Sequence, residues 1–272
     1  MIRGIFITSK QFINILYIVI LISINSCSSM YIPANTNIPL LDKKGEKQVD
    51  FYLSTTGAQL TGNYAFSDKY AIMATSSFSY KNFSDYYDFW DYVFDGTSSE
   101  SSFFDESEFA HHYNEIGFGR YNIFDSRIKG ELFCGIGYGV AKDKLSSDDY
   151  IVTYSYSNEY WLGFVQYNFG RRFRKVDIGG GIRVGYSAFS FTFPDEDLPI
   201  LVYTTDNFNN FFIEPSFIVK FGNENIKFVI RAGGSLVKTW DFDNNIETTK
   251  GMGDFLINTT SVHISFGINF NF

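Results

Sequence analysis

The sequence predicts an all-β chain: a closed antiparallel transmembrane β-barrel of about ten strands with up-and-down topology. Three observations carry that expectation. From Gln48 onward, apolar and polar residues alternate with a period of two over most of the chain. The connections between the alternating stretches are short and long in turn. Aromatic residues make up 19% of the 272 residues, with 31 Phe and 19 Tyr against 5 Pro, a composition that favours strands. Mean hydropathy is near zero, as it should be where the two faces of each strand average out.

Residues 1–26 read as a secretory signal peptide. Arg3 and Lys10 precede an apolar run from Phe12 to Ile24 that is too short for a stable span. The junction Ile24-Asn25-Ser26-Cys27 resembles a lipobox, which marks Cys27 for acylation. Residues 27–46 have no periodicity and carry Pro33 and Pro39, so they are expected to be a flexible tether leading to a barrel over 47–272.

Strands are expected near 48–56, 58–66, 70–80, 109–121, 127–141, 152–169, 176–191, 209–221, 225–236 and 255–272. Two of them show the pattern best. In Val176–Tyr186, the apolar set Val176, Ile178, Ile182, Val184 and Tyr186 alternates with Asp177, Gly179, Gly181, Arg183 and Gly185. So many glycines would weaken a strand of a soluble sandwich, whereas inside a narrow barrel they make room for a few large side chains. At the end of the chain, Val262, Ile264, Phe266, Ile268, Phe270 and Phe272 alternate with polar residues and Gly267. Phe266, Ile268, Phe270 and Phe272 have the form of an outer-membrane insertion signal, whose reader would be the barrel-assembly machinery.

The short connections fall at 67–69, 122–126, 170–175 and 222–224, and the long ones at 81–108, 142–151, 192–208 and 237–254. Such an alternation matches periplasmic turns and extracellular loops. Only the hairpin at Thr56-Gly57-Ala58 has an unexpectedly short outer loop. Acids crowd the first long connection, and bases such as Lys129, Arg171, Arg172, Arg174 and Lys175 crowd the short ones. Aromatics including Phe66, Tyr70, Tyr121, Phe169 and Phe221 mark the short-turn strand ends, as an interfacial girdle would. An even strand count puts both ends of the barrel in the periplasm, so an acylated Cys27 is expected to anchor in the inner leaflet of the outer membrane.

The lipobox, the stretch Gly62-Asn63-Tyr64-Ala65-Phe66-Ser67-Asp68-Lys69-Tyr70-Ala71-Ile72-Met73 and the closing Phe strand resemble the small outer-membrane β-barrel lipoproteins common in Bacteroidota. The resemblance is one of pattern over most of the mature chain. It implies a fold and a location and transfers no catalytic residue.

Strand phase turns Glu115, Glu131, Asp177 and Glu214 inward together with Arg183, Lys220, Lys227 and Arg231. Four acids facing four bases suggest a salt-bridged plug ahead of an ion path, since an unpaired charge in a confined lumen is costly. Gln166 and Glu214 take the same inward place on their strands, which reads as shared strand design. His263 is expected inside the lumen as a hydrogen-bonded interior residue. His111 and His112, near Asp105, Glu106 and Glu108, are the sole enzymatic candidate. No HExxH, GxSxG or phosphate-cradling loop supports catalysis.

Residues 81–108 interleave Phe83, Tyr86, Tyr87, Phe89, Trp90, Tyr92 and Phe94 with acids. Such a segment either extends two strands into a hairpin above the membrane or, since exposed ring clusters are unusual without a partner, forms a binding surface for an extracellular partner. The net charge of −8 argues against nucleic acid, and no cofactor or metal is expected. The expected function is thus a non-catalytic surface-interaction or envelope role in contact with outer-membrane lipid. Small-solute passage is the alternative, and a rim hydrolase for peptide or lipid ranks third.

Overall fold

A computed structural model of the chain describes residues 34–54, 57–80, 110–124, 128–146, 153–195, 202–240 and 261–272. Regular structure among them is entirely strand: β1 Lys47–Ser54, β2 Gly57–Tyr64, β3 Tyr70–Tyr80, β4 Ala110–Arg120, β5 Lys129–Ser146, β6 Thr153–Arg172, β7 Val176–Asp195, β8 Val202–Gly222, β9 Ile226–Trp240 and β10 Ser261–Asn271. Each strand pairs antiparallel with its neighbours in sequence. β1 then meets β10, from Gln48 opposite Asn271 to Ser54 opposite Ser265, and the ten strands close into a barrel. Closure leaves no row of unpaired backbone groups at a sheet edge.

The period-two pattern sets the two faces. In β4, His111, Tyr113 and Glu115 are buried while His112, Asn114, Ile116 and Phe118 are exposed. In β7, Asp177, Gly179, Gly181, Arg183 and Ser187 point inward, and Ile178, Ile182, Val184 and Tyr186 point outward. The outer surface is correspondingly apolar: Ile116, Ile136, Trp161 and Phe266 are each 58–61% exposed. Phe266, Phe270 and Phe272 of the closing strand stand on this outer face, with Ile268 half-buried in the same phase. Of the aromatics expected at the short-turn ends, Phe66, Tyr70, Phe169 and Phe221 are exposed, and Tyr70 stacks with Phe118 at 5.6 Å. Tyr121 instead turns inward and donates its hydroxyl to the Ser67 carbonyl at 2.6 Å.

Strand length varies strongly around the barrel. β1 and β2 have 8 residues each, whereas β5, β6, β7 and β8 have 18, 20, 20 and 21. One end is where β2 joins β3, β4 joins β5, β6 joins β7 and β8 joins β9, so the opposite rim is low at β1–β2 and high at β5–β8. The high strands run past the ends expected from sequence, β5 to Ser146, β7 to Asp195 and β9 to Trp240, while β8 starts at Val202. The reason is visible in β8, whose outward residues change from Phe211 and Ile213 to Asn209, Asn207 and Thr205. Apolar marking stops there but pairing continues, with Thr192 opposite Thr205 and their hydroxyls 2.9 Å apart.

The largest departure from the sequence reading concerns the tether. Residues Ala34–Leu41 are all buried, and they lie inside the barrel. Only Asp42–Gly45, at the short-turn end, are exposed. Period-two alternation needs one face toward water or lipid and one toward a core. An extended segment surrounded by barrel wall on every side has no such asymmetry, so its sequence shows none.

Candidate functional site

The lumen is the place where buried polar chemistry collects, and its centre is occupied by the chain itself. Main-chain groups of the inner segment are read by side chains from the wall. Gln59 of β2 accepts from the Asn35 amide and donates to the Asn35 carbonyl, both at 2.9 Å. On β6, Gln166 donates to the Asn37 carbonyl at 2.5 Å and Asn168 donates to the same oxygen at 3.2 Å. Asn37 and Asn63 exchange side-chain hydrogen bonds at 2.9 and 3.2 Å. Glu131 of β5 accepts from the Leu41 amide at 2.6 Å and from Asn168 at 3.0 Å. An extended segment away from water must place its amides and carbonyls on partners, and these wall residues supply them.

Glycines receive its apolar side chains. A Cβ on Gly170 would lie 2.7 Å from Leu40 Cδ1, one on Gly179 would lie 3.1 Å from the same atom, and one on Gly181 would lie 3.2 Å from Ile38 Cδ1. The inward glycines of β7 therefore make room for Ile38 and Leu40 as well as for the polar residues of the wall. Leu40 has a left-handed backbone (φ 57°), a conformation a non-glycine residue adopts only when its surroundings fix it. The glycine hollow and the Glu131 bond to the next amide are those surroundings.

The turn below the segment is held by charge. Lys129 forms an ion pair with Asp42, and Asn122 donates to the Asp42 carbonyl at 2.7 Å. Arg172 Nη1 lies 2.6 Å from Glu46 Oε1, and Glu46 Oε2 accepts from the Asp42 amide at 2.7 Å. Burial works to raise the Glu46 pKa, but Arg172 and these hydrogen bonds outweigh it and hold the carboxyl below its ordinary value. The Asp42 carboxyl is lowered as well, chiefly by its hydrogen bond from Lys129, against a smaller opposing effect of burial.

All eight charged residues assigned to the lumen from strand phase are buried there. Their pairing differs in part from four acids simply facing four bases. Arg183 makes a two-pronged contact with Glu115 at 2.9 and 3.0 Å and has Glu214 at 3.7 Å. Lys227 meets Asp177 at 2.5 Å. Lys220 lies 3.6 Å from Asp50, an acid the sequence reading did not single out. Arg231 donates to the Tyr52 hydroxyl at 2.7 Å and covers its ring at 4.2 Å. Glu131 serves the inner segment.

Further along the strands, toward the long connections, aromatic side chains take over. The ring of Tyr160 lies 6.1 Å from His111, 6.0 Å from Tyr113 and 5.3 Å from Phe189. Two of these rings lie against glycines: a Cβ on Gly139 would come within 2.2 Å of Tyr160 and one on Gly137 within 2.3 Å of Tyr113. His111 is buried and hydrogen-bonded to the Tyr160 hydroxyl at 2.7 Å, whereas His112 is exposed on the outer face beside Asn114. The two histidines thus point to opposite sides of the wall and do not share a site. His263 is buried against Gly233 as expected, but neither ring nitrogen has a hydrogen-bond partner among the described residues, so the expected hydrogen bond is not found. Cys27, Asp105, Glu106, Glu108 and the aromatic loop Phe83, Tyr86, Tyr87, Phe89, Trp90, Tyr92 and Phe94 lie outside the described residues. No cluster of metal-ligating side chains occurs among the described residues.

Sequence reasoning missed Gln59, Asn63 and Asn168, and it read Gln166 as strand design when it is a contact to the inner segment. A signal was present in the inward glycines Gly179 and Gly181 next to Gly170, which report a hollow that something must fill.

No protein-family model and no curated protein matches this chain. Among solved structures it is similar to the outer membrane protease OmpT of Escherichia coli, at 9% identity over 90% of this chain and 100% of that one, with a TM-score of 0.49. It is also similar to the translocator domain of the autotransporter NalP of Neisseria meningitidis, at 7% identity over 83% and 86% of the two chains, with a TM-score of 0.40. A third is KdgM porin, at 8% identity over 84% and 99%, with a TM-score of 0.29. The chemistry of this chain is therefore read from its own residues.

Proposed function

We propose that this chain is an outer-membrane β-barrel lipoprotein, acylated at Cys27, whose barrel is sealed and whose role is non-catalytic: surface interaction or envelope structure. The observation that carries the reading is the occupied lumen, in which Ala34–Leu41 is hydrogen-bonded to the wall and surrounded by buried ion pairs. A barrel of eight strands has an interior just filled by side chains, and ten strands add only a little width. A chain segment takes up that extra width. The apolar outer face supports contact with lipid, and short turns at one end against long connections at the other support a periplasmic and an extracellular end. Residues 81–108 are the proposed surface for a partner, through rings that supply apolar contact among repelling acids.

The test is conductance of the purified full-length protein in a planar bilayer. No stable open level is expected, and a stable open pore would shift the reading to small-solute passage. The same preparation with Phe83–Asp105 replaced by a short Gly-Asn turn gives a second readout in a pull-down, where partners held by the loop should be lost. Recovery of the same partners by both forms removes the interaction role from the loop.

A further inference from the structure

The inner segment has a direction. It starts from the exposed turn Asp42–Gly45 at the short-turn end and can be followed back through the contacts it makes. Leu41 is bonded to Glu131, the third residue of β5 from that end. On β7, Leu40 meets Gly179 and Ile38 meets Gly181. On β6, Asn37 is held by Asn168 and Gln166. On β2, Asn37 pairs with Asn63 and Asn35 with Gln59. β2 and β7 each fix two points of the segment, β6 does so through Arg172 at the Leu40 carbonyl and Gln166 at the Asn37 carbonyl, and all three give the same sense, away from the short turns. Gln59 is the third residue of β2, counted from its junction with β1. At Asn35 the chain has therefore reached the low lip of the rim, the place where the wall is only 8 residues tall.

We propose that the chain threads its own barrel, so that the polypeptide ahead of Ala34, and Cys27 with it, lies on the side of the long connections. The way back through the lumen is filled by residues 35–41 themselves. A way back across the outer face would put unpaired backbone amides and carbonyls into hydrocarbon. Reach also opposes a return. Cys27 stands seven positions before Ala34, which allows at most about 25 Å of extended chain, no more than the roughly 25 Å apolar band it would have to recross. The inference rests on the membrane placement proposed above for calling that side extracellular, and it replaces an inner-leaflet anchor with acyl chains entering the outer leaflet. No lipid has to pass through the pore. Asn35 contacts Gln59 of β2 and, at 3.5 Å, Ser265 of β10, so the β1–β10 seam can close around a segment already in place.

The experiment uses the full-length chain in intact and permeabilised bacteria, with an epitope at one of three places: between Ser29 and Met30, in the short turn Asn223–Asn225, or within residues 196–200. Antibody binding is measured before and after permeabilisation. The first and third tags are expected to give the same signal in both states, and the second to give signal only after permeabilisation. A parallel set avoids the bulk of a tag by using Ser29→Cys, Glu224→Cys and Glu196→Cys, each with Cys134→Ala, and an impermeant maleimide. Heat-modifiable migration confirms that each variant is folded. An N-terminal label that follows the short turn, while the 196–200 label stays accessible, overturns the threading and leaves the orientation standing. If the short turn is the accessible end and the first and third labels are hidden together, the orientation fails and the threading stands.

Discussion

The two halves of the lumen are filled by different means. Next to the short turns the filling comes from a separate stretch of chain held through polar contacts: Asn35 and Asn37 meet Gln59, Asn63, Gln166 and Asn168, with Lys227–Asp177 and Arg172–Glu46 around them, and only Ile38 and Leu40 are received by a glycine hollow. Toward the long connections the filling is aromatic and comes from the wall itself, where Tyr160 lies against Tyr113 and Phe189, and Tyr113 and Tyr160 lie against glycines of β5. A wall that fills its own interior depends on side-chain volume, and any strand can supply it. A wall that receives a foreign segment must satisfy that segment's backbone, which calls for amides and carboxylates at fixed heights. The difference predicts that the two halves fail in different ways when they are damaged.

The largest effect should come from removing the contacts of the inner segment without shortening it. Replacing Ala34–Leu41 with an eight-residue Gly-Ser stretch keeps the reach to Asp42 but deletes Asn37, Ile38 and Leu40. The stretch keeps its main-chain amides and carbonyls, but Asn63 loses the Asn37 side chain and the hollow at Gly170, Gly179 and Gly181 loses Leu40 and Ile38, so the segment is no longer fixed in place and water can enter. Single-channel recording should show conducting levels that the unaltered protein lacks. Continued silence in this variant would mean that the aromatic half seals the barrel alone, and the proposed division of labour would be wrong.

A smaller effect is expected from the aromatic half. Gly139→Val places a Cβ within 2.2 Å of Tyr160, so the ring must leave its place between His111, Tyr113 and Phe189. Overpacking of this kind costs about 1–3 kcal/mol. It should lower the temperature at which the barrel loses heat-modifiable migration while leaving it non-conducting. Conductance in Gly139→Val as large as in the Gly-Ser variant would remove the distinction between the halves.

The two halves also differ in how much of them could be read from sequence. Each strand of the wall announces itself, because an outer face of Ile, Val and Phe and an inner face of Glu, Arg and Gly give an alternating record. β7 is legible from Val176 to Tyr186, and the inward placement of Arg183 and Asp177 follows from the same phase. Partners across the lumen do not follow from phase. Lys220 meets Asp50 and not one of the four assigned acids, since circumferential neighbours depend on closure and stagger. The inner segment was read as a tether because both its faces meet protein, which erases periodicity. The aromatic filling by Tyr113, Tyr160 and Phe189 was not read from sequence, because an inward ring breaks the apolar-out, polar-in record, whereas the opposite placement of His111 and His112 follows from strand geometry once β4 is recognised.

The smallest effect is a pH dependence at the turn where the inner segment meets the wall. The pKa values of Asp42 and Glu46 are lowered on folding, so their unfolded forms bind protons more readily. Such carboxylates contribute stability that is complete above their unfolded pKa and is lost as pH falls through the folded one. The window therefore opens below about pH 4.5, the ordinary carboxylate range. Half of Asp42 is exposed, so solvent screens its pair with Lys129, and most of the effect should come from the buried Glu46 and Arg172. Hydrogen exchange of the Leu41 and Asp42 amides should be flat from pH 7 to 5, after correction for intrinsic rates, and lose protection below that window. Arg172→Met removes the main influence that lowers the Glu46 pKa and leaves only the Asp42 amide and Gln48 hydrogen bonds against burial, which raises it. The acid-dependent loss should then shrink in this variant. An unchanged acid profile in Arg172→Met would show that the Arg172–Glu46 pair does not hold the turn, and that the segment is kept in place by Gln59, Asn63, Glu131, Gln166, Asn168 and the glycine hollow.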